Sequence, residues 1–199
     1  NIANAAFFTV FYVPLVPILL FFIYSIKVHW SLWPSIGLCI IGVYLLSDFS
    51  NSEIMIGDAL VILCSLFWAL HIIFAGKFME KFNIPIFYAA LQAALVFSLS
   101  LIFAFILEEV VITKILTEYS SILYAGVLSG GIAFTLQMFA QKNIEEAPAA
   151  IIYSLEGVFA TIAGWIILSQ VLNINNIIGC VLILIAVIFS QVAPTSKKL

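Results

Sequence analysis

Apolar residues run through this chain in long blocks rather than alternating, and the blocks are separated where charges and prolines gather. Seven blocks reach the length of a membrane helix, at about 3–25, 30–47, 58–76, 84–107, 119–141, 147–169 and 174–193. Pro34, Pro85 and Pro148 each fall in the first turn of a block, where a missing N–H does no harm, and Pro194 follows the last block. Pro14 and Pro17 lie well inside the first block, where each removes a helical hydrogen bond, so a helix break is expected there. The pattern predicts an all-α integral membrane protein with seven transmembrane helices. The loops, of which 48–57 and 108–118 are the longest, hold no recognisable domain, so function must reside among the helices.

One block carries a charge at its centre. In Pro148–Gly164, PAAIIYSLEGVFATIAG, Glu156 stands ten residues beyond Glu146. At 1.5 Å per residue that places it about 15 Å deep, near the middle of a hydrocarbon core of about 30 Å. A charge at that depth costs a few kcal/mol in lipid, so a protein-lined or watery cavity is expected around it. Glu156 shares a helix face with Ala149, Tyr153, Ala160 and Gly164, small enough for a substrate or a neighbouring helix to approach closely. It reads as a protonatable group that binds a substrate amine or couples transport to protons. The plainer reading is a neutral carboxyl bonded to a neighbouring helix.

Composition sharpens the class. The chain has 199 residues, is 65% hydrophobic and 9% charged, and contains seven lysines but no arginine. Its mean hydropathy is +1.25. The lysines are scattered, so no basic patch points to nucleic acid. Cys39, Cys64 and Cys180 all lie within apolar blocks and suggest neither a disulfide framework nor a metal site. Neither a nucleotide-binding motif nor a cofactor signature is present, since the glycine-rich string Ser129-Gly130-Gly131 is embedded in a helical block. The chain opens on Asn1 without a basic leader or cleavage site, and is expected to be a fragment lacking its start.

Lysine placement orients the helices. With the carboxyl terminus in the cytoplasm, Lys27, Lys77, Lys81, Lys142, Lys197 and Lys198 all lie inside and Lys114 alone lies outside. Seven spans then place Asn1 outside, and a cytoplasmic natural amino terminus requires an odd number of further spans upstream.

Sliding the chain along itself by 140 residues brings Val13-Pro14-Leu15-Val16-Pro17-Ile18 onto Tyr153-Ser154-Leu155-Glu156-Gly157-Val158, so the helix disruptors coincide. With a four-residue gap, Ile40-Ile41-Gly42-Val43 meets Leu184-Ile185-Ala186-Val187. The copies lie five helices apart, an odd offset, and therefore enter the membrane in opposite directions. Inverted repeats of this kind place a binding site near the midplane, where broken helices meet.

These residues carry a resemblance. Gly57-Asp58 opens a span containing Leu66-Phe67-Trp68-Ala69-Leu70. Gly126-Val127-Leu128-Ser129-Gly130-Gly131-Ile132-Ala133-Phe134 follows, then Pro148-Ala149-Ala150, Leu155-Glu156-Gly157-Val158-Phe159-Ala160, and Gly179 with Leu182-Ile183. In order and spacing, 57–191 resembles a five-helix unit of the drug/metabolite transporter superfamily, EamA type, and 1–47 resembles the last two helices of a preceding unit. The resemblance implies ten helices in two inverted repeats, the first three being absent here, with 192–199 a cytoplasmic tail. It also implies a multi-pass inner-membrane protein, not an enzyme, exporting amino acids or related metabolites by alternating access. Gly157 stands where the family usually has proline, and Gln170 where it usually has glutamate.

Further candidates each have two readings. His71 shares a face with Cys64, Trp68 and Ala75 and would relay protons or bind a carboxylate, or else bond a neighbouring backbone. Trp68 offers a cavity wall for stacking, or a lipid-facing ring. Gln137 lies on the face of Gly126 and Gly130, which is expected to pack on another helix, and so reads as interhelical glue. Gln92, one turn from Tyr88, is a similar case. Tyr153 and the breaks at Pro14, Pro17 and Gly157 complete the expected cavity. Two rival classes fit less well. A heptahelical receptor would need an arginine switch and an extracellular cysteine pair; an intramembrane serine hydrolase would rest on Ser129 and His71, which lie at different depths.

Overall fold

A computed structural model describes residues 2–47, 56–192 and 197–198. Asp48, Glu53 and Pro194 therefore lie outside the described residues. The secondary structure is almost wholly helical, apart from a two-residue antiparallel pairing of β1 (Ile26–Lys27) with β2 (Lys197–Lys198). Among the described residues six helical stretches are long and apolar enough to cross a membrane: Ala5–Tyr24, Ile56–Phe82, Pro85–Leu107, Tyr119–Gln141, Glu146–Leu168 and Ile174–Val192. The chain is an all-α integral membrane protein.

The second expected span, 30–47, is shorter than predicted and is the one missing from the six. Helix α3 covers Leu32–Leu46, 15 residues. Its start is delayed because Leu32 and Trp33 N–H groups turn back to the His29 and Trp30 carbonyls, three residues earlier. At 1.5 Å per residue it rises about 22 Å, less than the hydrocarbon thickness. In the other direction, the helix Ile56–Phe82 (α4) runs past Lys77 and Lys81, ending at Asn83 in the left-handed conformation (φ 54°).

Two compact units emerge. The first comprises Asn1–Phe74 with Ile144–Leu199, the second Ala75–Asn143. In the first, α1 (Ile2–Thr9), α2 (Tyr12–Tyr24), α3, the first part of α4, α9 (Glu146–Tyr153), α10 (Leu155–Leu168) and α11 (Ile174–Val192) surround a core of Val13, Val16, Leu20, Ile36, Ile72 and Ile151. Helices α3 and α11 form its tightest pair, because Gly42 and Gly179 meet where they cross. Helix α10 ends at Ser169 in the left-handed conformation (φ 51°), and the Gln170 N–H then caps the Gly164 carbonyl at 3.2 Å. The Gln170 side chain folds back over Gly164, which has no Cβ to obstruct it. A neutral side chain thus fits at this helix end.

In the second unit, Met79 and Met138 are buried together with Ala75, and Phe78, Tyr88 and Ala89 pack against them. Helix α5 (Pro85–Leu107) packs on α8 (Phe134–Gln141). The short helices α6 (Ile112–Thr117) and α7 (Tyr119–Leu123) lead into a ten-residue π-helix, Tyr124–Ala133. That π-helix overturns one expectation. Among the described residues Gly126 and Gly130 do not form a packing face: a Cβ on Gly126 would meet nothing within 4 Å, and Gly130 and Gly131 instead approach carbonyls five residues earlier in their own wide turns.

Candidate functional site

The first membrane-spanning helix breaks as its prolines demand, one turn ahead of Pro14. Pro14 has no N–H to give the Val10 carbonyl; Val13 N–H takes that carbonyl instead, at 2.9 Å, and α1 separates from α2 at Val10–Phe11. Pro17 is buried within α2, which continues through it.

The other break lies two residues ahead of Glu156. Helix α9 ends at Tyr153 and α10 begins at Leu155. At the joint, Ser154 donates both its N–H (3.2 Å) and its hydroxyl (2.6 Å) to the Ile151 carbonyl, and Gly157 N–H reaches only as far back as Ser154 O (3.2 Å). A side-chain hydroxyl that competes for the helical carbonyl bends the helix without proline. Gly157 therefore takes part in the break although Ser154 makes it.

Helix α2 packs on α9, and the two breaks open on one cavity of about 310 Å³. Its polar wall consists of Thr9, Tyr12, Ser47, Tyr153, Ser154, Glu156 and Thr161; Ala6, Val10, Val43, Leu46, Gly157 and Ala160 supply the apolar wall. Glu156 is exposed within it, about half way along the Glu146–Leu168 span. Cys39, fully buried on α3, and the buried Tyr12 belong to the core cluster that backs this wall.

The aromatic candidates stand behind this wall. Trp68 meets Tyr12 edge-on (ring centroids 6.5 Å apart) and stacks on His71 at 5.1 Å. Of the residues expected from sequence, Tyr153, Glu156 and Gly157 line the cavity, Trp68 adjoins it through Tyr12, and His71 is one ring further away. Gln92 and Gln137 belong to the second unit, on the packed helices α5 and α8. The Gln92 side-chain oxygen and the Gln137 side-chain nitrogen are both shielded there, without a hydrogen-bond partner among the described residues.

Sequence reasoning overlooked Tyr12, Thr9, Ser47 and Thr161, and passed over Ser154 except as the position matching Pro14. The available signal was the hydroxyls themselves, which punctuate otherwise apolar helices beside the two breaks. No group of three or more potential metal ligands occurs among the described residues.

Comparison with known proteins agrees with this architecture. Residues 55–191 match the model of the EamA-like transporter family. An uncharacterized transporter of Archaeoglobus fulgidus is 32% identical over 188 residues, which cover 93% of this chain. The chain spans 59% of that relative's length. The match over 55–191, most of the chain, establishes that it belongs to the EamA-like transporter family.

Proposed function

We propose that the chain is part of a secondary transporter that exports amino acids or related small organic metabolites by alternating access, with Glu156 as its coupling carboxylate. The observation that carries this reading is the meeting of two helix breaks at one cavity that holds the single mid-span acid. Breaks of this kind let two segments of a helix pivot separately, which is what opening to alternate sides requires.

In this reading 1–47 closes a first five-helix repeat, 57–191 forms a second, inverted one, and 192–199 is a cytoplasmic tail. Lysine placement supports an inner-membrane protein with its carboxyl terminus in the cytoplasm. Helix α3 serves as the seventh crossing despite its length, with the exposed Trp30 and Trp33 anchoring its inner end at the interface. A coupling proton, a small metabolite and the bilayer are the partners. Trp68 and His71 support the cavity wall through Tyr12.

The test is flux of radiolabelled amino acids into proteoliposomes holding the complete protein, with and without an imposed pH gradient, for wild type and Glu156→Gln. Gradient-driven flux that the substitution uncouples is the expected result. Flux indifferent to both gradient and substitution removes Glu156 from the mechanism.

A further inference from the structure

Four of the six hydroxyl groups around the cavity have committed their protons to the backbone. Thr9 Oγ1 donates to Ala5 O at 2.7 Å, Ser47 Oγ to Val43 O at 2.8 Å, Ser154 Oγ to Ile151 O at 2.6 Å and Thr161 Oγ1 to Gly157 O at 2.8 Å. A hydroxyl has one proton and two lone pairs, so all four are left with acceptance as their remaining hydrogen-bonding capacity. A glutamate carboxylate, as at Glu156, also only accepts when ionised. Tyr12 and Tyr153 add aromatic faces and hydroxyls, and no lysine, arginine or histidine stands among the described lining residues. The four committed hydroxyls and the Glu156 carboxylate form an acceptor-rich wall, with the two tyrosine hydroxyls able to donate or accept, and such a wall calls for a ligand that donates several hydrogen bonds and carries positive charge.

Resting on the proposed transport site, we infer that this cavity takes a primary ammonium borne on a small apolar body. Glu156 supplies the counter-charge, and the Thr9, Ser47, Ser154 and Thr161 oxygens supply acceptors for N–H donors. The aliphatic residues Val10, Val43 and Leu46 receive the body. The three N–H groups distinguish this cargo from a quaternary ammonium of the same charge, which presents no donor. Among the described lining residues a carboxylate on the same molecule finds no cationic partner, which, within the proposed cargo of amino acids and related metabolites, favours amines. The cavity volume lies at the lower end of the range of about 300–1,000 Å³ typical of small-molecule sites.

The experiment uses the complete protein and a matched series: isoamylamine, its N,N,N-trimethyl analogue, leucine and isovalerate. Binding is measured by calorimetry in detergent, and flux of each radiolabelled compound in proteoliposomes. Isoamylamine should bind at least about tenfold more tightly than each of the other three. Glu156→Gln should weaken amine binding by more than about tenfold. Thr161→Val, nearly isosteric, should reduce the preference for the amine over its trimethyl analogue by about threefold or more. Equal binding of the trimethyl analogue overturns the acceptor-wall inference, and absence of amine binding overturns the subsite. Leucine flux without amine binding leaves the transport reading standing and removes this one. Amine binding that Glu156→Gln abolishes, without flux of any compound, supports the subsite and removes the transport reading.

Discussion

The crossing of α3 and α11 allows the packing of this fold to be tested against a matched control. A Cβ placed on Gly179 would sit 2.6 Å from the Gly42 carbonyl oxygen, 3.0 Å from Leu46 Cγ and 3.3 Å from Leu45 Cβ. Ordinary carbon–oxygen approaches are about 3.3–3.6 Å, so Gly179→Ala must part the two backbones by about 0.7–1 Å. A gap of that size forfeits a quarter to a half of the dispersion well at each contact. Overpacking of this kind costs about 1–3 kcal/mol. Alanine also has the better helix propensity, by about 1 kcal/mol, which would mask part of the loss. Gly37 removes that ambiguity: it is the sixth residue of α3 as Gly179 is of α11, and a Cβ there meets nothing within 4 Å. Gly37→Ala should therefore be neutral or stabilising, and the difference between the two variants should be about 1–3 kcal/mol. Unfolding of the complete protein by SDS in mixed micelles measures it. A difference below about 0.5 kcal/mol would refute the close crossing.

Pro14→Ala supplies the N–H four residues on that the Val10 carbonyl, now bonded to Val13 N–H, would take in a continuous helix, so α1 and α2 should join; flux should fall by about tenfold or more while resistance to SDS holds or rises, and unchanged flux would make the break incidental. Ser169→Gly relieves a left-handed residue (φ 51°) at the end of α10 and should stabilise by about 1 kcal/mol in the same unfolding assay, with no gain counting against the strain. In the second unit, Met138→Ala empties space between Met79 and Ala75 and should cost about 2–5 kcal/mol; a loss under 1 kcal/mol would mean that this cluster is not a core.

The spans were legible because desolvated backbone must pair within its own segment, which forces uninterrupted apolar helices bounded by charge and proline. The exceptions have local causes. Helix α3 loses its first residues to a turn at His29–Ser31, which competes with helix at short range, and the Gly126/Gly130 stripe fails as a packing face because the segment winds as a π-helix. Glu156 could be read as the residue needing a cavity, since a mid-span charge has few other settings. Its neighbours could not, because whether a serine caps, kinks or binds depends on which carbonyl takes its proton.

That dependence gives the site its character. Pro14 breaks one helix by lacking a donor, and Ser154 breaks the other by turning a donor inward; both changes redirect hydrogen bonds three residues back rather than four. In the second case the proton spent on the backbone is the one a ligand's acceptor would have needed. The bend and the acceptor surface at Ser154 thus share a cause, and an alanine there would remove both together. A glycine or proline would bend the helix without offering the oxygen. A serine at this position therefore combines what a moving helix requires with what an ammonium recognises, whereas Thr161, bonded four residues back to Gly157 within the unbroken α10, adds an acceptor oxygen without a bend.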